Sequence, residues 1–204
     1  NWFAYKARHP ELELCGAGGH SMGIVAAMVA AEAMSVEDSG VFIRARARAF
    51  SDVCAAFGEP QGMAAVSTEY LQDFKEKIDS FPGVSLALHN TIGRGTIGGR
   101  MIAIEAFAAH AKNEAWPLKL AILKVEGPYH TVAFEPAKAA LRKMLETIEV
   151  KPPQAPVFMG TSGKAETDPA RIKELLVLQT VSCEHHLHAV RASYAAGCRT
   201  FVEV

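Results

Sequence analysis

The sequence contains no C-x-x-C pair; its four cysteines, Cys15, Cys54, Cys183 and Cys198, are scattered along the chain. Without paired spacing there is no dithiol motif and no dense disulfide framework, so the thiols read as reduced and mostly packed, the usage of a cytoplasmic protein. Charge of one sign is also missing. The 21 Lys and Arg offset 22 Asp and Glu to a formal net charge of −1, which removes the electrostatic basis for a nucleic-acid or anionic-membrane partner. No hydrophobic run is long enough to span a bilayer, since the longest, Gly23 to Ala31, is closed by Glu32. The first residues, NWFAYKARHPELE, lack the charged, apolar, then small order of a secretory signal. Internal repeats and low-complexity tracts are absent as well. What is plentiful is apolar surface: half of the 204 residues are hydrophobic, enough for one large domain or two small ones with a real core.

Within that background Gly19-His20-Ser21-Met22-Gly23 sets a serine between two glycines, directly before the apolar run Ile24 to Met34. A serine on a sharp strand-to-helix turn needs small neighbours, because the turn brings backbone too close for a Cβ. Leu12 to Ala17 is expected to supply the strand and Ile24 onward the helix, which would aim its N-terminal amides at negative charge developing near Ser21. Ser21 is therefore a candidate nucleophile. The same pentapeptide also arises in an ordinary glycine- and alanine-rich turn, so the chemistry must be argued from partners elsewhere in the chain.

Taken in order, Asn1 to Arg8 reads as the end of a helix broken by His9-Pro10. Ser35, with Asp38 a turn later, predicts an N-cap opening a helix from about Val36 to Phe57. From Met63 the texture changes. Strands are expected at Met63–Ser67, Val84–Asn90, Gly93–Gly99 and Leu118–Val125, with helices at Thr68–Ser80 and Ile102–Ala115. This βαββαβ order is that of a ferredoxin-like sheet inserted in a larger domain. Further on, a helix is expected over Val132–Glu149, a strand over Val157–Gly160, a helix from Asp168-Pro169 to about Gln179, another near Glu184 to Ala196, and a last strand over Thr200–Val204.

Three further signals carry chemistry. On the helix after Ser35, Arg46 points about 160° away from Arg44 and Arg48, among Phe42, Ile43, Ala49 and Phe50. An arginine in an apolar face snorkels its head to water, pairs with an internal carboxylate, or clamps the carboxylate of a substrate, since burying it unpaired is costly. His130, in Pro128-Tyr129-His130-Thr131, stands at a strand-to-helix junction, where it is either a base or a packed ring. Cys183, His185, His186 and His188 offer metal-type side chains, but on a helix they diverge, and a polar helix face is the preferred reading, with no metal site.

With Ser21, Arg46 and His130 together, the chain resembles the acyltransferase family of fatty-acid and polyketide synthesis, the malonyl-CoA:acyl-carrier-protein transacylases, almost end to end. Gly19-His20-Ser21-Met22-Gly23 is similar to the family's GHSxG elbow, Arg46 stands where malonyl-using members keep a carboxylate-binding arginine, and Pro128-Tyr129-His130-Thr131 resembles the catalytic-histidine motif. Gln61 to Val66, Asn90-Thr91-Ile92-Gly93, Glu135-Pro136-Ala137, Gln179 with Ser182, and Phe201-Val202-Glu203-Val204 follow in the family's order. Ile24, Ile92, Arg94, Cys183 and His186 depart from the familiar residues at their positions. The resemblance implies an α/β fold: a large α/β-hydrolase-like subdomain with a parallel sheet and nucleophile elbow, residues 1–62 and 127–204, and an inserted ferredoxin-like subdomain, residues 63–126. It implies Ser21 and His130 as catalytic residues, the Met22 amide as oxyanion donor, Arg46, His20, Tyr129 and Asn90 as substrate-binding residues, and a carbonyl near Gln179 orienting His130. Malonyl-CoA and an acyl carrier protein are the implied partners, the latter bringing its own phosphopantetheine, with no bound cofactor. The bulky Tyr129 favours malonyl over methylmalonyl. The Gly-x-Gly-x-Gln segment that resembles a second oxyanion donor in the family is lacking, and both ends read as cut.

Two other readings compete with malonyl transfer. An acyl hydrolase would use the same serine and histidine but would want an acid placed between them in sequence, which the inserted unit does not offer. A docking module within a synthase would keep the motifs without the chemistry.

Overall fold

The computed structural model describes residues 2–203. Helix α1 (Trp2–Arg8) stops where His9-Pro10 interrupts it. Strand β1 (Ala17–Gly18) leads through the elbow into α2 (Gly23–Ala30). The expected strand over Leu12 to Ala17 is thus displaced toward the elbow, because a strand forms only where its backbone finds a ladder partner, and Ala17 and Gly18 find Val157 and Phe158. Helix α3 (Val36–Ala55) begins at the predicted cap, Ser35 Oγ accepting the Asp38 N–H at 2.9 Å. Such a cap contributes about 1 kcal/mol. Its buried positions, Phe42, Arg46, Ala49 and Val53, share one face by helical spacing, and that face looks into the large core.

Next come β2 (Gln61–Ser67), a 3-10 turn at Leu71–Phe74, α4 (Lys75–Asp79), β3 (Val84–Thr91), β4 (Arg94–Arg100), α5 (Met101–Asn113) and β5 (Lys119–Ile122). The strands form one antiparallel sheet in the order β3-β4-β2-β5. Ile97, Ile104 and Phe107 fill the space between this sheet and its helices. The single helix expected over Thr68–Ser80 is divided, its first part tightening into the 3-10 turn as Leu71 N–H bonds to the Ile92 carbonyl of the β3–β4 hairpin at 2.8 Å.

The helix expected from Val132 to Glu149 is broken for a different reason. Pro136 lacks a backbone donor, so a 3-10 turn at Val132–Phe134 precedes α6 (Ala137–Glu146). Strand β6 (Val157–Met159) turns into β7 (Lys164–Glu166), a strand the sequence reading missed. Asp168 caps α7 (Pro169–Leu178), accepting from the Ala170 and Arg171 amides, and α8 (His186–Ala195) follows. The second sheet, β1-β6-β7, is parallel between β1 and β6 and antiparallel between β6 and β7, so the expected parallel sheet is mixed. Ile24, Met28, Phe42, Phe134, Leu141 and Ile172 belong to the core that α2, α3, α6 and α7 share over it. Residues 200–203 form no strand, against expectation; they enter neither sheet. Asn1 and Val204, the outermost residues of the two terminal expectations, lie outside the described residues.

The segment between α7 and α8 pairs with the edge of β3. Leu88 and Glu184 form an isolated parallel bridge, with His89 N–H donating to the Glu184 carbonyl and Glu184 N–H to the Ala87 carbonyl, each at 2.9 Å. Among the described residues no helix is long and apolar enough to cross a membrane.

Candidate active site

Where β1 meets α2 the chain turns so sharply that Ser21 takes φ 50°, a left-handed conformation unfavourable for a residue with a Cβ. Gly19 permits the turn: a Cβ there would lie 2.1 Å from the Gly23 carbonyl carbon. A Cβ on Gly23 would meet nothing within 4 Å, so the steric demand expected of both glycines falls on the first alone. His130 is also left-handed, at φ 61°, in the turn after β5.

These two strained residues face one another. Ser21 Oγ lies 2.8 Å from His130 Nε2. His130 Nδ1 lies 2.8 Å from the Gln179 carbonyl oxygen, which can only accept, so the proton belongs on Nδ1 and Nε2 is free to accept from the serine hydroxyl. The imidazole is 3% exposed. Burial, followed by the charge of Arg46, pushes its pKa down to about 4, opposed by the Gln179 carbonyl. It is therefore an unprotonated base at neutral pH.

The other residues singled out from sequence lie around this pair. Met22, largely exposed, precedes the first turn of α2, and among the described residues its amide meets no protein acceptor. His20 Nε2 donates to Asn90 Oδ1 at 2.9 Å, linking the elbow to the end of β3. Tyr129 stacks on Phe50 at 5.5 Å between ring centroids and leans on Phe134 at 5.1 Å. It thereby forms a fixed aromatic wall against α3.

Arg46 projects from that helix with its guanidinium carbon 4.8 Å above the Phe50 ring. It is 6% exposed, and its Nε has no hydrogen-bond partner. Among the described residues no carboxylate comes within ion-pair distance of it. Burial lowers its pKa, while the charges of Glu184 and Tyr129 act the other way. Of the readings left open by the sequence, the internal ion pair is not formed among the described residues, and the side chain is too buried to snorkel.

The sequence reading missed Glu184. It is 0% exposed. Its Oε1 accepts the Ser21 N–H at 2.7 Å and its Oε2 accepts from Gln179 Nε2 at 3.1 Å. Gln179 Nε2 also donates to the Ser21 carbonyl at 3.2 Å. No local pattern marks Glu184, because its burial follows from the bridge to β3, a contact between distant parts of the chain.

The neighbouring His186 and His188 lie half-buried and exposed on α8, as a polar helix face would. His185 and His188 stack with centroids 5.1 Å apart, and His89, 3% exposed with both ring nitrogens unpartnered, packs edge-on to both. Among the described residues no group of three or more His, Cys, Asp or Glu is arranged to hold a metal ion.

The sequence matches the family model described as acyl transferase domain over residues 16–204. The malonyl CoA-acyl carrier protein transacylase of Bacillus subtilis (strain 168) is 31% identical over 189 residues, covering 91% of this chain and 59% of that protein. The same-named protein of Haemophilus influenzae (strain ATCC 51907 / DSM 11121 / KW20 / Rd) is 26% identical over 201 residues, 98% of this chain and 64% of its own length. Among solved structures, the acyl-carrier-protein S-malonyltransferase of Burkholderia pseudomallei 1710b superimposes with a TM-score of 0.84 at 26% identity, covering 96% of this chain and 64% of that one. The α/β architecture with its mixed sheet is thus one these proteins share, and the chain spans about six-tenths of the length of the relatives it matches.

Proposed function

The chain belongs to the acyl transferase domain family, and on that premise we propose that it moves a malonyl group from malonyl-CoA to the phosphopantetheine thiol of an acyl carrier protein in fatty-acid or polyketide synthesis. The observation that carries this reading is the 2.8 Å contact between Ser21 Oγ and His130 Nε2 beside the buried, unpaired guanidinium of Arg46. In the proposed reaction His130 takes the Ser21 proton as Oγ bonds to the thioester carbonyl carbon; the C–S bond then breaks and the proton leaves on the CoA thiolate. The carrier thiol reverses these steps on the acyl-serine, giving ping-pong kinetics.

Each remaining residue has a proposed part. The Met22 amide donates to the oxyanion at the start of α2. Arg46 grips the free carboxylate of the malonyl group bidentately, which no neutral acyl chain can exploit. His20 and Asn90 form the side of the acyl site nearest β3, and the Gln179 carbonyl orients His130. The Tyr129 wall beside α3 would crowd an α-methyl substituent, favouring malonyl over methylmalonyl. We read residues 1–62 and 127–204 as an α/β-hydrolase-like subdomain and 63–126 as a ferredoxin-like insertion, working in the cytoplasm without a bound cofactor.

One observation favours a second reading. Glu184 Oε2 lies 3.9 Å from His130 Nδ1, so a buried acid of the kind a hydrolase uses does approach the histidine. The hydrogen bond from Nδ1 nevertheless goes to the Gln179 carbonyl. Incubation of the protein with isotope-labelled malonyl-CoA is expected to leave label on Ser21 that an acyl carrier protein removes. Label on Ser21→Ala would overturn the nucleophile, and release only as free malonate would transfer the case to the hydrolase.

A further inference from the structure

Glu184 is a buried carboxylate at the site that the reaction above leaves without a part. Its backbone is fixed by two hydrogen bonds to β3, through Ala87 and His89. Its carboxylate lies under the elbow, bonded to the Ser21 N–H at 2.7 Å and to Gln179 Nε2 at 3.1 Å, and 3.9 Å from His130 Nδ1. Gly160 leaves room for the side chain, since a Cβ there would lie 2.4 Å from Glu184 Cγ. The other titratable groups that act on it are His20 on the elbow, Arg46 on α3 and Cys183 next to it in sequence.

We propose that Glu184 is the positioning residue of this site: a buried carboxylate that holds Ser21 in its left-handed conformation and counter-charges the imidazolium formed when His130 takes the Ser21 proton. The inference rests on the acyl-serine reading above. Its ionisation follows from the partners. The Ser21 amide and the Gln179 side-chain amide are both donors, and neither can accept a proton from a carboxylic acid. Burial pushes the Glu184 carboxyl upward, and these donors, with His20 and Arg46, oppose that push.

The consequences for the step are specific. As Oγ bonds to the carbonyl carbon, the proton moves to His130 Nε2 and later leaves on the thiolate. Glu184 neither gains nor loses a proton; its negative charge faces the opposite edge of the ring as positive charge develops there. Because the Ser21 N–H is engaged by Glu184, it is not available to the oxyanion, which leaves that task to the Met22 amide. The Ser21 carbonyl, held by Gln179 Nε2, completes a clamp on both sides of the nucleophile.

The test compares the parent protein, Glu184→Gln and Glu184→Asp in single-turnover acylation by malonyl-CoA across pH, with thermal unfolding of each. An opposite charge within a few ångströms moves a pKa by about one unit or more, and one unit is about tenfold in the stability of the charged form. Glu184→Gln keeps size and one acceptor but no charge, so acylation is expected to slow about tenfold, with KM little changed, the acid limb displaced to lower pH, and the melting temperature somewhat lowered because its NH2 group meets a buried donor. A residue that merely packs would give the opposite sign: its loss would hydrate His130 and move the limb up toward 6.5, the ordinary histidine value. That upward movement, or an unchanged rate, would overturn the proposal. Should Glu184→Gln fail to fold, Glu184→Asp decides. It keeps the charge but withdraws it, and is expected to acylate more slowly with the limb in place; a parental rate or a limb moved upward overturns the idea. Ser21→Ala run in parallel separates the two levels, since its acylation would mean that the nucleophile reading, not this inference, had failed.

Discussion

The two sides of the site hold buried charge in opposite ways. At the elbow end both oxygens of Glu184 are occupied by donors and its backbone is pinned to β3. At the α3 end Arg46 is nearly as buried, yet its Nε is unpartnered and its guanidinium lies over the face of Phe50. A buried charge without its own partner is expensive to maintain. The fold tolerates this expense at Arg46 and avoids it at Glu184. On the proposed reading, the satisfied anion belongs to the scaffold that shapes Ser21, and the unsatisfied cation receives an anion from outside the chain.

The largest effect that would break the comparison concerns the base between the two ends. With His130 held near 4 by burial and by Arg46, the acid limb of kcat/KM for acylation is expected near pH 4. A limb near 6.5 would mean that the site is wet and that Arg46 exerts little field. Stability has a corresponding sign: between 6.5 and 4 the unfolded chain binds a proton that folded His130 refuses, so the free energy of unfolding falls as pH falls through that window. A smaller effect sharpens the elbow end. Gly160→Ala places a methyl against Glu184 Cγ and is expected to destabilise the protein by about 1–3 kcal/mol, the usual range for overpacking. Equilibrium denaturation measures it, and a parental value would mean that Glu184 shifts freely and is not clamped.

The same comparison explains what the sequence could and could not disclose. Ser21 and Ser35 act over a few residues: the glycine-flanked elbow and the N-cap are local events with local signatures, whereas the equally local break at Pro136 was passed over in the helix expected from Val132 to Glu149. Arg46 was visible because its neighbours at helical spacing are apolar, which made its isolation readable before any partner was known. Glu184 had no such signature. It sits in a histidine-rich stretch that reads as surface, and is buried only because residues 183–185 pair with β3 far away in sequence. Strand β7 was missed for the same reason, being short and defined by its pairing with β6, and the strand expected near residue 200 fails for lack of a partner. His89 was likewise read only as part of a strand; its place between His185 and His188 is tertiary.

The claim that joins both ends is that Arg46 is kept unpaired to receive a substrate carboxylate at the serine served by His130. The direct measurement is the intact mass of parent and Arg46→Ala protein after matched, brief exposure to malonyl-CoA and to acetyl-CoA. Losing a buried charge pair of this kind removes about 2–5 kcal/mol, so malonyl loading on Ser21 should fall by roughly thirtyfold or more while acetyl loading persists or rises, inverting the preference. Unchanged malonyl preference in Arg46→Ala would contradict the account.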